Sequence, residues 1–485
     1  MGTESELLAQ VPQGLFIDGE WRDAASGATF EVTDPSTGAV IHRVADASEV
    51  DGIAAVDAAV AAQAEWAATA PRARGEILRG AFDLLRDRAD DVALLMTLEM
   101  GKPLADSRAE VVYGGEFLRW FGEEAVRISG RYGDTPEGRG AMLVSKQPVG
   151  PCFLITPWNF PLAMATRKIA PALAAGCTVV VKPASMTPLT TMYTVRLLEE
   201  AGLPSGVVNV LTTSSSSSVS SPIIADHRLR KLSFTGSTDV GRLLLKQAAD
   251  GILRTSMELG GNAPFLVFED ADLDKAVDGA ILAKFRNIGQ ACTAANRFIV
   301  HRSVATAFAE RVAERVEAMN VGRGTEDGVD IGPLINTEAV DKVDALVRDA
   351  VDKGANLLTG GYRIDGPGTF YQPTVVTGVP AEADILSEEI FGPVVSVVEF
   401  SDEDEAVHLA NATPYGLVSY AYTNDLARGH RMIERLDTGM MGLNVGVISN
   451  AAAPFGGVKQ SGIGREGGHE GIEEYLSTKY TLIPN

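Results

Sequence analysis

Cysteine is scarce in this 485-residue chain: Cys152, Cys177 and Cys292 are the only three, and their spacing is irregular. That excludes a disulfide scaffold and a zinc cluster of regular spacing, and it suits a reducing compartment, so a cytoplasmic protein is expected. No apolar run approaches the roughly 18 residues that span a bilayer. The start, MGTESELLAQ, has neither the charged lead nor the apolar stretch of a secretory signal. Positive charge is in deficit: 42 Lys and Arg stand against 64 Asp and Glu, a formal net charge of −22. A binder of nucleic acid or of anionic membrane needs a basic face, so neither partner is expected. What remains is ordinary globular composition, 45% apolar and 22% charged, in a chain long enough for about three domains.

Periodicity supplies the architecture. Residues 51–69 and 73–97 carry apolar side chains at helical spacing, and Gly101 and Pro103 end the second run. From Val149 onward, apolar strands alternate with helices: 152–155, helix 163–175, 178–181, helix 190–201, 207–211 and 231–234. Such alternation predicts crossover units and a parallel sheet covered on both faces. It resumes with a helix over 272–287, a strand at 297–300, helices over 303–319 and 338–353, and strands near 373–377 and 394–400. The serine-rich stretch TTSSSSSVSS, 212–221, reads as a solvated loop. Residues 129–148 read as a projecting hairpin and 475–483 as an extra strand, pieces that need a partner, for which another subunit is a candidate.

Individual residues then stand out. Cys292 lies among small residues that let a ligand approach, yet alone it reads as a buried structural thiol. Glu258 ends an apolar strand before Gly260 and Gly261, where ligands of α/β proteins collect; alone it reads as a cap or ion-pair partner. Asn159, in a turn after strand 152–155, has an amide able to donate to a developing oxyanion, or is a turn asparagine. Lys182 ends the strand 178–181. Gly236 and Gly241 open a helix in a turn that does not match G-x-G-x-x-G.

Taken together, TPWNFP (156–161), KPAS (182–185), FTGST (234–238), MELGGNAP (257–264), GQACTAANR (289–297), EEIFGPV (388–394) and PFGGVKQSG (454–462) resemble the aldehyde dehydrogenase superfamily in order and spacing, over essentially the whole chain. The resemblance implies an α/β fold of two Rossmann-like domains with a small β oligomerisation element. It implies a cofactor domain of 1–128, 149–258 and 442–468, a catalytic domain of 259–441, and an oligomerisation element of 129–148 and 469–485. It makes Cys292 the nucleophile, Glu258 the base for deacylation, and Asn159 the oxyanion donor beside the Cys292 N–H. Lys182 and Ser185 would face the adenosine ribose and Gly236 and Ser237 the pyrophosphate. Glu389 would hold the nicotinamide ribose with Phe391 packed near it, and Thr156, Trp158 and Leu259 would complete the cofactor site. No metal is implied.

The family's NAD-preferring members often carry Glu where this chain has Ser185. A neutral side chain there, with Lys182 near, predicts that NADP is accepted; the cofactor is NADP or NAD. Within the family, FPLAMATRK and AKFRN resemble succinate-semialdehyde dehydrogenases. In that subgroup the residues matching Arg167, Arg286 and Ser449 bind the distal carboxylate, for which a guanidinium fork is well suited. Ala294 stands where some members carry a second cysteine, which removes a disulfide with a neighbour of Cys292. The expected activity is oxidation of succinate semialdehyde by a homodimer or homotetramer. The alternatives are glutarate semialdehyde, an aromatic or aliphatic aldehyde, a CoA-acylating dehydrogenase or thiol hydrolase, and a non-catalytic binding protein on the same fold.

Overall fold

Two twisted sheets carry the chain, and a computed structural model describes them over residues 4–485. The first is eight-stranded. Its parallel centre runs Val208–Val210, Val179–Lys182, Cys152–Ile155, Lys231–Thr235 and Arg254–Glu258. The N-terminal strands Leu15–Ile17 and Glu20–Arg22 extend one edge, and Gly462–Ile463 closes the other. The second is seven-stranded, ordered Asn356–Thr359, Thr374–Thr377, Val394–Phe400, Ala295–His301, Ala263–Val267, Val418–Tyr422 and Met440–Leu443. Its strands are parallel except the first pair. The expected boundary between 441 and 442 passes through Met440–Leu443. The central strands are buried on both faces, which explains their nearly continuous apolar sequence.

Most expected helices form within a residue or two of their predicted limits. The run over 73–97 is two helices, Pro71–Asp87 and Ala89–Met100, because Arg88 leaves helical geometry at φ −112° and ψ 25°. The serine stretch is not the loop expected: Ser216–Ala225 is helical. Serine is a mediocre helix former, but Val219, Ile223 and Ile224 share one buried face, with Val219 and Ile223 against Gly52 of Glu49–Ala68, so packing overrides propensity. The helix Leu104–Glu124, which periodicity did not reveal, carries charged residues on its buried side, Glu110 and Glu124 among them.

The two pieces thought to need a partner pair with each other. Leu476–Pro484 lies antiparallel to Gly140–Pro148, with Leu476 opposite Pro148, and Arg131–Asp134 forms the other edge. The small sheet leaves Tyr132, Tyr480, Leu482 and Ile483 exposed. Among the described residues, no helix is long and apolar enough to cross a membrane, and no cluster of His, Cys, Asp or Glu is arranged to hold a metal.

Gly101 ends Ala89–Met100 in left-handed geometry, φ +89°, where an added Cβ would lie 2.6 Å from Pro333 Cγ and 2.8 Å from Pro35 Cγ. Gly101→Ala is expected to destabilise the chain by about 1–2 kcal/mol. An unchanged urea-unfolding midpoint would contradict this.

Candidate active site

Four strand ends build one wall of the site. Ile155 is in register with Lys182 and with Phe234, and Thr235 with Glu258, so the residues that follow these strands emerge along one carboxyl edge. The opposite wall comes from the second sheet's side, through the loop that precedes Ala295–His301. Asn287, Ile288 and Gly289 are all left-handed there, at φ 56°, 63° and 73°. For a β-branched residue this is strained, and such strain persists only where the surroundings impose it. The turn carries Cys292 to the cavity.

Between the walls lies a cavity of about 270 Å³, bordered by Asn159, Glu258, Cys292, Glu389 and Phe391 among others. The structure therefore brings together the three residues expected to do chemistry. Burial pushes the Cys292 thiol up to about 12. Glu258 is buried, neither carboxylate oxygen has a hydrogen-bond partner, and burial together with neighbouring Glu466 raises it well above the usual carboxylate range. Asn159 Nδ2 donates to the Gln290 carbonyl at 2.9 Å, which leaves its second N–H free.

The same cavity holds Trp158, Gly236, Ser237 and Leu259. Trp158 meets the Phe391 ring edge-on at 5.5 Å, with Phe391 at φ 53°. Ser237 caps the helix Thr238–Asp250, whose N-terminus faces an anion favourably. Glu389 accepts the Gly261 N–H at 3.0 Å through one oxygen, and burial raises it to about 7. Lys182 is buried, lowered by that burial to about 8, and donates to Ser216 Oγ at 3.1 Å. Ser185 is half-buried three residues on. Thr156 Oγ1 and Thr235 Oγ1 are buried without partners. A carboxylate for a ribose diol, a helix N-terminus for a diphosphate and a lysine beside hydroxyls suit a dinucleotide.

The three expected carboxylate binders are divided. Arg286 and Ser449 line a small second pocket beside Ala291, Thr293 and Ala294, and Arg286 Nη2 donates to Ser449 Oγ at 3.3 Å. Arg167 is not in that lining. It is fully buried, ion-paired through Nε to Glu466 and stacked on Phe455 at 4.3 Å, and Nη1 and Nη2 have no hydrogen-bond partner. Lys168 pairs with the same carboxylate. Sequence reasoning missed Glu466, and it missed Tyr113, whose hydroxyl feels Arg167, Arg286 and Cys292 together. Neither lies in a motif; only the fold brings them here.

The aldehyde dehydrogenase family model matches residues 21–481. The chain belongs to the aldehyde dehydrogenase family. It is 61% identical to a succinate-semialdehyde dehydrogenase of Paenarthrobacter nicotinovorans, over 92% of this chain and 99% of that one. It is 48% identical to a glutarate-semialdehyde dehydrogenase of Pseudomonas putida, over 97% and 98%. A solved structure described as an E. coli NADP dependent enzyme superposes with a TM-score of 0.97 at 46% identity, covering both chains fully. As a member of this family the chain is an oxidoreductase acting on aldehydes with NAD or NADP, on the two-sheet α/β fold expected.

Only the thiolate is nucleophilic. With the thiol at about 12, alkylation of Cys292 by iodoacetamide in the cofactor-free enzyme is expected to rise about tenfold per pH unit from 7 to 10. Mass spectrometry of the labelled peptide checks this; a plateau near pH 8 would show an already activated thiol.

Proposed function

We propose that the enzyme oxidises succinate semialdehyde, or a closely related aldehyde bearing a terminal carboxylate, to the acid with NADP or NAD. The observation that carries this reading is the Arg286–Ser449 pair in a pocket next to the Cys292 loop. A cation and a hydroxyl at that place select a substrate with an anionic end, and the likeness to semialdehyde dehydrogenases supports the same substrate class. Arg167 adds positive charge near Tyr113 and Cys292. One methylene is worth only about 1–3 kcal/mol of discrimination, so glutarate semialdehyde is a second substrate by this reading.

The chemistry belongs to three side chains. Cys292, as the thiolate once its proton has passed to water, attacks the aldehyde carbon through Sγ; the C=O π bond opens, the carbon becomes tetrahedral and the oxygen an alkoxide. The free N–H of Asn159 Nδ2 and the Cys292 amide hold that oxygen. Bound NAD(P) supplies the hydride acceptor, held by Thr156, Trp158, Lys182, Ser185, Gly236, Ser237, Leu259, Glu389 and Phe391. The acyl group stays on Cys292 as a thioester. Glu258, as the carboxylate, takes a proton from the water that attacks the thioester carbon, the C–S bond breaks and Cys292 leaves as the thiolate; burial raises this carboxyl and so makes it a stronger base. Glu258 also favours water over CoA as the acyl acceptor.

By this reading the first sheet with its helices binds the cofactor and the second is catalytic. The small sheet with exposed Tyr480 and Leu482 joins protomers into a homodimer or homotetramer. Three free cysteines suit a cytoplasmic location.

Steady-state kinetics against both cofactors test the substrate. Succinate semialdehyde is expected to exceed an uncharged alkanal and benzaldehyde in kcat/KM, and Arg286→Met to remove about 10²-fold of that preference. Equal rates with alkanals would refute the carboxylate reading. Glu258→Gln should release about one equivalent of reduced cofactor per site and then stall, while Cys292→Ala should release none.

A further inference from the structure

Asn159 can stabilise an oxyanion only if its amide is held in place before the reaction. The backbone carbonyl of that same residue is held by two donors. It accepts Lys102 Nζ at 2.8 Å and Asn287 Nδ2 at 3.0 Å. Lys102 is fully buried, its ammonium 2.5 Å from Glu110 Oε2 and 4.3 Å from the centre of the Phe160 ring. Glu110 uses its other oxygen to accept the Leu162 and Ala163 amides at 3.0 and 3.1 Å, just beyond Asn159. The ammonium and its carboxylate thus grip the 159–163 segment from both sides of its turn.

The grip extends to the nucleophile. Asn287 Nδ2 also donates to the Gln290 carbonyl at 2.9 Å, the acceptor that takes Asn159 Nδ2. Asp106, one turn before Glu110 on Leu104–Glu124, accepts the Asn287 amide at 2.8 Å. Gln290 Oε1 in turn accepts the Ile335 amide at 3.0 Å. The strained left-handed turn before Cys292 is therefore fastened to the Asn159 peptide, and both to one helix.

We propose that Lys102 is a positioning residue for oxyanion stabilisation, its Glu110-anchored ammonium fixing the Asn159 carbonyl and thereby the aim of the Asn159 amide at the oxygen of the Cys292 adduct. It touches neither substrate nor cofactor; it acts through a peptide. Methionine at 102 would fill similar volume but donate nothing, and the Asn159 peptide would keep only the Asn287 donor. The inference rests on the proposed role of Asn159.

The test compares Lys102→Met, Lys102→Met/Glu110→Gln and Asn159→Ala with the wild type. It reads kcat/KM for succinate semialdehyde, the rate of iodoacetamide alkylation of Cys292, and cofactor binding by tryptophan fluorescence. Alkylation passes through no oxyanion, so it reports the placement and ionisation of the thiol without the Asn159 contribution. Lys102→Met is expected to lower kcat/KM by about 10²-fold through kcat, with alkylation and cofactor affinity within about threefold of wild type. Added to Asn159→Ala, it should change kcat/KM by less than about threefold. Should Lys102→Met not fold, the double variant, which leaves no charge buried alone, decides the matter. Near-wild-type kcat/KM in either Lys102 variant while Asn159→Ala is slow overturns the proposal. So does alkylation that falls in parallel with activity, which would make Lys102 merely structural. Full activity of Asn159→Ala would instead remove the oxyanion reading itself.

Discussion

The site depends on a buried carbonyl that must be satisfied. The oxygen of Asn159 sits between two sheets, and an unpaired buried acceptor there would be about 1–3 kcal/mol unfavourable. Two donors meet it, Lys102 from the segment that follows Gly101 and Asn287 from the loop before Cys292. Satisfying this one atom locks the end of Cys152–Ile155 to the loop carrying the nucleophile. That is why a turn with Asn287 and Ile288 at positive φ persists. Two independent sheets are thereby held at fixed separation where a tetrahedral intermediate has to fit. The ammonium adds rigidity because its position is itself determined by Glu110 and the Phe160 ring.

The nucleotide side is built by a different logic. Strand register alone carries Lys182, Thr235 and Glu258 to a common rim, and a helix start follows at Ser237. Here backbone groups and partly exposed side chains suffice, because phosphates and riboses bring strong hydrogen-bonding groups of their own. The helix Ser216–Ala225 is the local peculiarity. Its first residue accepts the Lys182 ammonium, so a hydroxyl, not a carboxylate, neighbours this lysine. Nothing in that arrangement repels a ribose 2′-phosphate, which agrees with the NADP acceptance expected from Ser185.

The alternation of apolar runs announced the sheets. Cys292, Glu258 and Asn159 each read alone as structural residues, and only the family's motifs, taken together, singled them out. The serine stretch was misread because propensity says nothing of Val219 and Ile223 finding Gly52. Helix Leu104–Glu124 was missed because its buried face carries Glu110 and Glu124, which blur the apolar stripe. Lys102 and Glu466 were missed for a related reason: a charged residue in sequence looks solvated, and only a paired charge within the fold makes burial tolerable. Arg167 was read from its motif as a substrate ligand, but the motif could not show that Glu466 occupies its Nε edge.

That pairing has an electrostatic consequence at Glu258. Arg167 and Lys168 are two buried cations, and Glu466 and Glu258 are two carboxyls within their field. Burial alone would raise both acids. Glu466, in direct contact with both cations, is nonetheless held below the usual carboxylate range, and its fixed negative charge then disfavours a second anion at Glu258. The two acids thus divide unequally: Glu466 is shifted toward its ionised form and Glu258 away from it. In the proposed role Glu258 accepts a proton from water only as the carboxylate, and with no hydrogen bond to either oxygen it has no contact to break first. The burial that raises Glu258 also raises the Cys292 thiol.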